Sequence, residues 1–155
     1  MPMKTLLRTA VGTFVASLGI ALFTEVLLKD RITIIGSFIG LQKSHNEGIA
    51  FGIELGPGQD FIIILALIAV VFIGVRYAKT RLEQAGFGLI VGGGAANLVD
   101  RILDGVVTDM IQVGTFPIFN IADTCINIGI VSIIFASLWE GKVHKPPKKA
   151  SAKQS

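Results

Sequence analysis

The sequence predicts an all-α membrane protein with a small β element, four transmembrane helices plus an outer β-cradle. Three observations lead there. Apolar residues make up 52% of the chain and charged residues only 16%, where a soluble domain carries about 25% charge. Four apolar stretches each approach the ~20 residues that cross a bilayer core. Between the first two lies a stretch of short β-like runs and glycine turns.

The first span is expected from about Thr9 to Leu28. Lys4 and Arg8 before it resemble the start of a secretory signal, but no small-x-small cleavage site follows, so the span is read as uncleaved. The second covers Phe61 to Val75, extendable to Tyr77, and its core holds no charge. The third, from near Ala85 to near Leu98, is glycine-rich. The fourth runs from about Ile118 to Trp139. Between spans one and two, Ile32-Thr-Ile-Ile and Phe38-Ile-Gly-Leu read as strands parted by Gly36-Ser37, with turns at Asn46-Glu-Gly48 and Gly56-Pro-Gly58. They predict a small sheet on the membrane surface. Residues 1–144 form one transmembrane domain in this reading, and 145–155 a basic disordered tail too polar to bury anything.

Basic residues set the topology. Lys4 and Arg8, then Arg76, Lys79 and Arg81, then Lys142 and the lysines beyond it fall on one side if the chain crosses four times. Both termini are then cytoplasmic, and segments 29–60 and 99–117 are outside. The sequence pI near 9.2 does not point to nucleic acid, because the positive charges flank the spans and interleave with no aromatics. The single cysteine, Cys125, excludes an intramolecular disulfide, and His45 and His144 offer no metal-ligand spacing. Neither a metal nor an organic cofactor is expected.

Chemistry is concentrated in Asn97-Leu-Val-Asp100-Arg101, Asp109 and Phe119-Asn120-Ile-Ala122-Asp123. A carboxylate at membrane depth costs about 2.5–3.5 kcal/mol on insertion scales, so it normally has a partner or a task. Asn120 suits a helix N-cap, which puts Asp123 at the third helical position beside the positive end of the dipole. A capping role alone would explain it. Asp109, between valines and Met110-Ile111, has an apolar setting that should raise its pKa, whereas the helix end should lower that of Asp123. A plain turn aspartate is the bland alternative. Two carboxylates pushed apart in pKa suit an acid/base pair. Asn97 shares a helix face with both Asp100 and Arg101, but these two cannot face each other. Each needs a partner elsewhere, and Arg101 could hold a catalytic carboxylate or a substrate carbonyl. An interfacial ion pair is the structural alternative. Gly88, Gly92 and Ala96 recur every four residues and let another helix approach closely, either a span of this chain or a substrate helix.

Together, Asn46-x-Gly48-x-Ala50-Phe51, Gly93-x-x-x-Asn97-Leu-x-Asp100-Arg101, Val107-Thr-Asp109-Met-Ile and Phe119-Asn120-x-Ala122-Asp123 resemble the motifs of lipoprotein signal peptidase, the bacterial signal peptidase II. Four motifs in order, from about Leu41 to Ser132, cover most of the chain. The resemblance implies a membrane-embedded aspartic endopeptidase of the bacterial inner membrane. Such enzymes remove signal peptides from prolipoproteins just before a diacylglyceryl-modified cysteine. It implies Asp109 and Asp123 as the catalytic pair. Asn46, Asn97, Arg101 and Asn120 match polar residues lining the site, and Asp100 matches a family aspartate outside the pair. The implied partners are the lipidated substrate and membrane lipid, with the chain acting as a monomer. One departure stands out. The family usually shows an aspartate and, four residues later, a lysine near the outer end of the first span, where this chain has Ala21 and Glu25. The expected consequence is altered lipid or substrate recognition with the peptide-bond chemistry intact, as in a divergent paralogue. The rivals are a small proton-coupled transporter, which would place its carboxylates near the midplane, and a catalytically silent membrane scaffold.

Overall fold

The structure, a computed structural model, describes residues 3–49, 56 and 58–143, with side chains as far as Trp139. The expected tail, 145–155, and Ala50-Phe51 of the first motif lie outside the described residues. Four long helices and a three-stranded sheet make up the described chain. They follow in the order α1 (Lys4–Leu27), β1 (Ile32–Ile35), β2 (Ile39–Asn46), α2 (Gln59–Tyr77), α3 (Arg81–Asp104), β3 (Val107–Val113) and α4 (Ile121–Val143). All four helices are long and apolar enough to cross a membrane. On α2 the large apolar side chains Phe61, Ile68 and Phe72 are exposed. Water would not tolerate such a surface, but lipid does. The protein is a multi-pass membrane protein.

Helix α3 is the central packing element, and its glycines explain why. A Cβ at Gly88 or Gly92 would strike the α1 backbone at Leu6 and Ala10, and one at Gly86 or Gly93 would strike the α4 carbonyls of Gly129 and Ala122. The small-residue stripe therefore serves packing between spans of this chain. Two glycine faces let two helices approach α3 closely at once, as van der Waals packing in lipid requires.

The helix ends follow local chemistry. Thr80 and Glu83 form a reciprocal capping box that starts α3. Gly105, at φ +79°, ends it, donating its N–H to the Arg101 carbonyl at 2.8 Å. The third helix is therefore longer than expected. It continues past Leu98 through Asp104, because nothing before Gly105 breaks it. At about 1.5 Å per residue it outruns the ~30 Å hydrocarbon core.

The sheet is antiparallel in the order β1-β2-β3. The two expected strands are present. The third, Val107–Val113, is a strand where the sequence shows only an apolar setting for Asp109. It carries Asp109 in mid-strand, where Ser44 is its partner on β2. After β3 the chain turns back, and Phe119 pairs with Ile111 through bonds of 2.7 and 3.2 Å. That pairing sets the start of α4 beside β3. The C-terminal end of α1 meets the sheet as well, through Thr24 Oγ1 donating to Met110 Sδ at 3.1 Å.

Candidate active site

The C-terminal end of α3, the N-terminal end of α4 and strands β2 and β3 meet at one end of the helices. The carboxylates therefore gather there and not midway along the spans, contrary to what a transporter would need.

Asn120 is the cap of α4. Its Oδ1 accepts the Asp123 backbone N–H at 2.9 Å, and Asp123 Oδ2 accepts the Asn120 N–H at 3.3 Å. This is a capping box with an aspartate at the third position. The capping role and a site role are thus combined, because the other atoms of both residues face the site. Asn120 Nδ2 donates to Asp109 Oδ1 at 2.7 Å and to Asn97 Oδ1 at 3.1 Å. Asn97 Nδ2 donates to Asp123 Oδ1 at 2.9 Å. Two asparagines therefore link the two carboxylates in a continuous hydrogen-bonded chain, Asp109–Asn120–Asn97–Asp123.

The two aspartates differ in surroundings. Asp109 is only 2% exposed, while Asp123 is half-buried and lines an adjacent pocket. Burial, helped by the negative charge of Asp123, pushes the Asp109 carboxyl up to about 6. Hydrogen bonds from Asn46 and Asn120 oppose the rise, and the more distant Asp100 adds to it. This agrees with the expectation for Asp109. For Asp123 the helix end does supply a backbone donor, the Asn120 N–H.

The remaining predicted residues take up supporting positions. Asn46 Nδ2 donates to Asp109 Oδ2 at 3.2 Å, and its Oδ1 accepts the Gly48 N–H at 2.9 Å. Its amide is thus bound on both sides within the protein. Asp100 is buried, and its Oδ2 accepts the Thr108 N–H at 2.7 Å, fixing β3 to α3 one residue before Asp109. Arg101 is buried too. Its Nη2 donates to the Gly48 carbonyl at 2.6 Å, and its Nη1 lies 3.8 Å from Asp60 Oδ1. Its partners are therefore the turn after β2 and the start of α2, and neither Asp109 nor Asp123 is among them.

The pocket has a volume of about 600 Å³. Asn46, Asn97, Arg101 and Asp123 supply its polar wall, and side chains such as Ile63, Leu98, Phe116 and Ile126 its apolar wall. Asn127 also lines it, with Nδ2 donating to the Asp123 carbonyl at 2.9 Å. Asn127 is not among the expected residues, although an amide four residues after Asp123 in an apolar run is a usable signal. The pairing of Glu25 with Lys43 and His45 is likewise unexpected, because no local pattern announces it.

A site of this kind has two linked carboxylates, one at the wall of a largely apolar pocket. It can activate water against a bound carbonyl without further groups. The sequence model of the family described as Signal peptidase (SPase) II matches residues 12–139. The chain is 32% identical to the lipoprotein signal peptidase of Chlorobium luteolum, across 85% of this chain and 87% of the relative. It is 36% identical to that of Shouchella clausii, across 79% and 83%. Among solved structures it resembles a bacterial membrane enzyme with a TM-score of 0.82, at 30% identity over 95% of each chain. A second bacterial membrane enzyme superposes with a TM-score of 0.76, at 33% identity over 87% of this chain and 93% of the other. Fold, site motifs and relatives agree, and the chain belongs to the signal peptidase II family.

Proposed function

We propose that this peptidase works by aspartic chemistry, with Asp109 and Asp123 as the catalytic pair, and removes signal peptides from prolipoproteins just before a diacylglyceryl-modified cysteine. The observation that carries the proposal is the hydrogen-bonded chain from Asp109 through Asn120 and Asn97 to Asp123. It ties Asp123, at the wall of the pocket, to the buried Asp109 in one hydrogen-bonded unit.

In this mechanism one aspartate is ionised and takes a proton from water. The other is protonated and polarises the scissile carbonyl, later helping to protonate the leaving amine. The tuning of Asp109 to about 6 suits a group that must hold a proton and release it near neutrality. The apolar wall suits an acyl-bearing, signal-peptide-like substrate, and the polar wall suits its extended backbone at the cleavage point. Asn46, Asn97 and Asn120 hold the pair in place, while Asp100 and Arg101 fix the elements that carry it.

The site sits at the end of the helices that the charge distribution puts outside. Lys4, Arg8, Arg76, Lys79 and Arg81 lie at the opposite end. This charge bias supports a topology with both termini in the cytoplasm, and membership of the family supports residence in the bacterial inner membrane, with the substrate met at the outer leaflet.

The experiment is incubation of purified protein with a diacylglyceryl-modified prolipoprotein and with its unmodified form. The modified form should be cut immediately before the lipidated cysteine and the unmodified form left intact. Equal cleavage of both, or of neither, would overturn the proposed substrate.

A further inference from the structure

We infer that Glu25 is a positioning residue, whose carboxylate pins strand β2 in the register that brings Asn46 to Asp109. The inference rests on the assignment of Asp109 to the reacting pair.

Glu25 lies in the last turn of α1. Its Oε1 stands 3.2 Å from Lys43 Nζ and its Oε2 2.9 Å from His45 Nε2. Lys43 Nζ also donates to the Glu25 main-chain carbonyl at 2.9 Å. The last turn of α1 has no basic residue of its own. Lys43 therefore supplies, from another element, the cation that the negative end of a helix favours. Lys43 and His45 are two residues apart on β2, so they project from the same face toward the same carboxylate.

The place of this clamp along the strand gives it consequence. From Ile39 to Leu41, β2 pairs with Val113 to Ile111. From Ser44 to Asn46 it pairs with Asp109 to Val107. One extra residue is therefore inserted in β2 between Leu41 and Ser44. Without it, Lys43 and not Ser44 would stand opposite Asp109, and each later side chain on β2 would move to the other face. Asn46 Nδ2 would then lose its 3.2 Å bond to Asp109 Oδ2. A bulge disrupts the ladder locally and aims side chains. Here the clamped residues are Lys43, inside the irregular stretch, and His45, just after it. Asn46 follows directly, and Gly48 beyond it is held by Arg101 at 2.6 Å. The strand is thus fixed at two points, with Asn46 between them. This also accounts for a carboxylate at position 25. Its partners are basic side chains of the sheet, where a lysine would face Lys43 with like charge.

The test compares the full-length protein with Glu25→Gln, Asn46→Ala, the double variant, Glu25→Asp and Asp109→Asn on a diacylglyceryl-modified prolipoprotein, with pH profiles of kcat/KM. Asp109 is faced by Asp123 from α4 and Asp100 from α3, and these are unchanged in the variants compared. Glu25→Gln should lower kcat/KM by about 10–100-fold, the scale of an ångström-level misplacement. It should move the Asp109-dependent limb to higher pH, in the same direction as Asn46→Ala, because the anion loses a donor. The double variant should be no worse than Asn46→Ala alone, and Glu25→Asp should recover part of the loss. If Glu25→Gln does not fold, Lys43→Gln with His45→Gln keeps the carboxylate and must reproduce the same shift. Additive losses with an unmoved limb, in either pair of variants, would overturn the inference. Full activity in Asp109→Asn would instead remove the dyad on which it rests, so the two failures are distinguishable.

Discussion

Asn120 joins Asp109 by a 2.7 Å bond from its side-chain amide, while its side-chain oxygen caps α4 by accepting the Asp123 N–H at 2.9 Å. One residue therefore starts the helix that carries one aspartate and holds the other. Serine caps about as well as asparagine, but has no amide to reach Asp109 and Asn97. Both Asn120→Ser and Asn120→Ala lose the bridge, but Asn120→Ser keeps the cap and should be more stable in detergent than Asn120→Ala by about 1 kcal/mol. Both should lose most activity. Equal activity in Asn120→Ser and the parent would show that the bridge is dispensable.

The pH dependence follows from Asp109. If the active pair holds one proton, that proton is lost as pH rises through about 6, the value to which burial and the Asp123 charge push Asp109. The quantity kcat/KM, which reports the free enzyme, should therefore fall on the alkaline side of about 6. Donors to the carboxylate favour its anion, so removing one raises the pKa. Asn46→Ala should move that limb upward in pH. A downward movement would mean that another group sets the limb.

Packing on α3 makes a prediction independent of catalysis. A side chain at Gly92 would meet the Ala10 carbonyl and Thr13 of α1, while one at Gly12 would meet nothing within 4 Å. Gly92→Val should destabilise the protein by about 1–3 kcal/mol through overpacking. Gly12→Ala should be neutral or stabilising by up to about 1 kcal/mol. Thermal unfolding in detergent measures both, and a tolerated Gly92→Val would mean that α1 does not pack there.

Topology is tested by labelling from outside intact cells in a Cys125→Ser background. Ser37 and Thr115 are exposed at the site end, and Lys79 is exposed at the other. Cysteines at the first two positions should react with an impermeant reagent, and a cysteine at Lys79 should not. The opposite pattern would place the site on the cytoplasmic face.

Much of this was legible in the sequence because it is local. The four spans, the strands at Ile32 and Phe38, and the Asn120 cap each rest on residues within a turn or a short run of one another. Strand β3 was harder to read. Val107-Thr-Asp-Met-Ile has the β-branched residues of a strand, but an aspartate at its centre breaks the alternation expected of a half-buried one. The partners of Arg101, Asp100 and Glu25 could not be read at all. Gly48, Thr108 and Lys43 become neighbours only when the sheet folds over the helix ends, and charge alone does not say which of several acceptors a buried guanidinium will choose. The departure at Glu25 suggested a change in substrate or lipid handling. In the structure that carboxylate meets Lys43 and His45 of the sheet.

The most direct measurement is the cleavage rate of a diacylglyceryl-modified prolipoprotein by the purified parent protein, Asp109→Asn and Asp123→Asn, with each variant first shown to insert and to unfold at a temperature near that of the parent. Asparagine preserves shape and much of the hydrogen bonding but cannot exchange the proton that the pair must share. Each variant should lose activity by about 10²–10⁴-fold or more, and combining them should add little. Turnover close to the parent's by either variant would contradict the assignment of Asp109 and Asp123 as the catalytic pair.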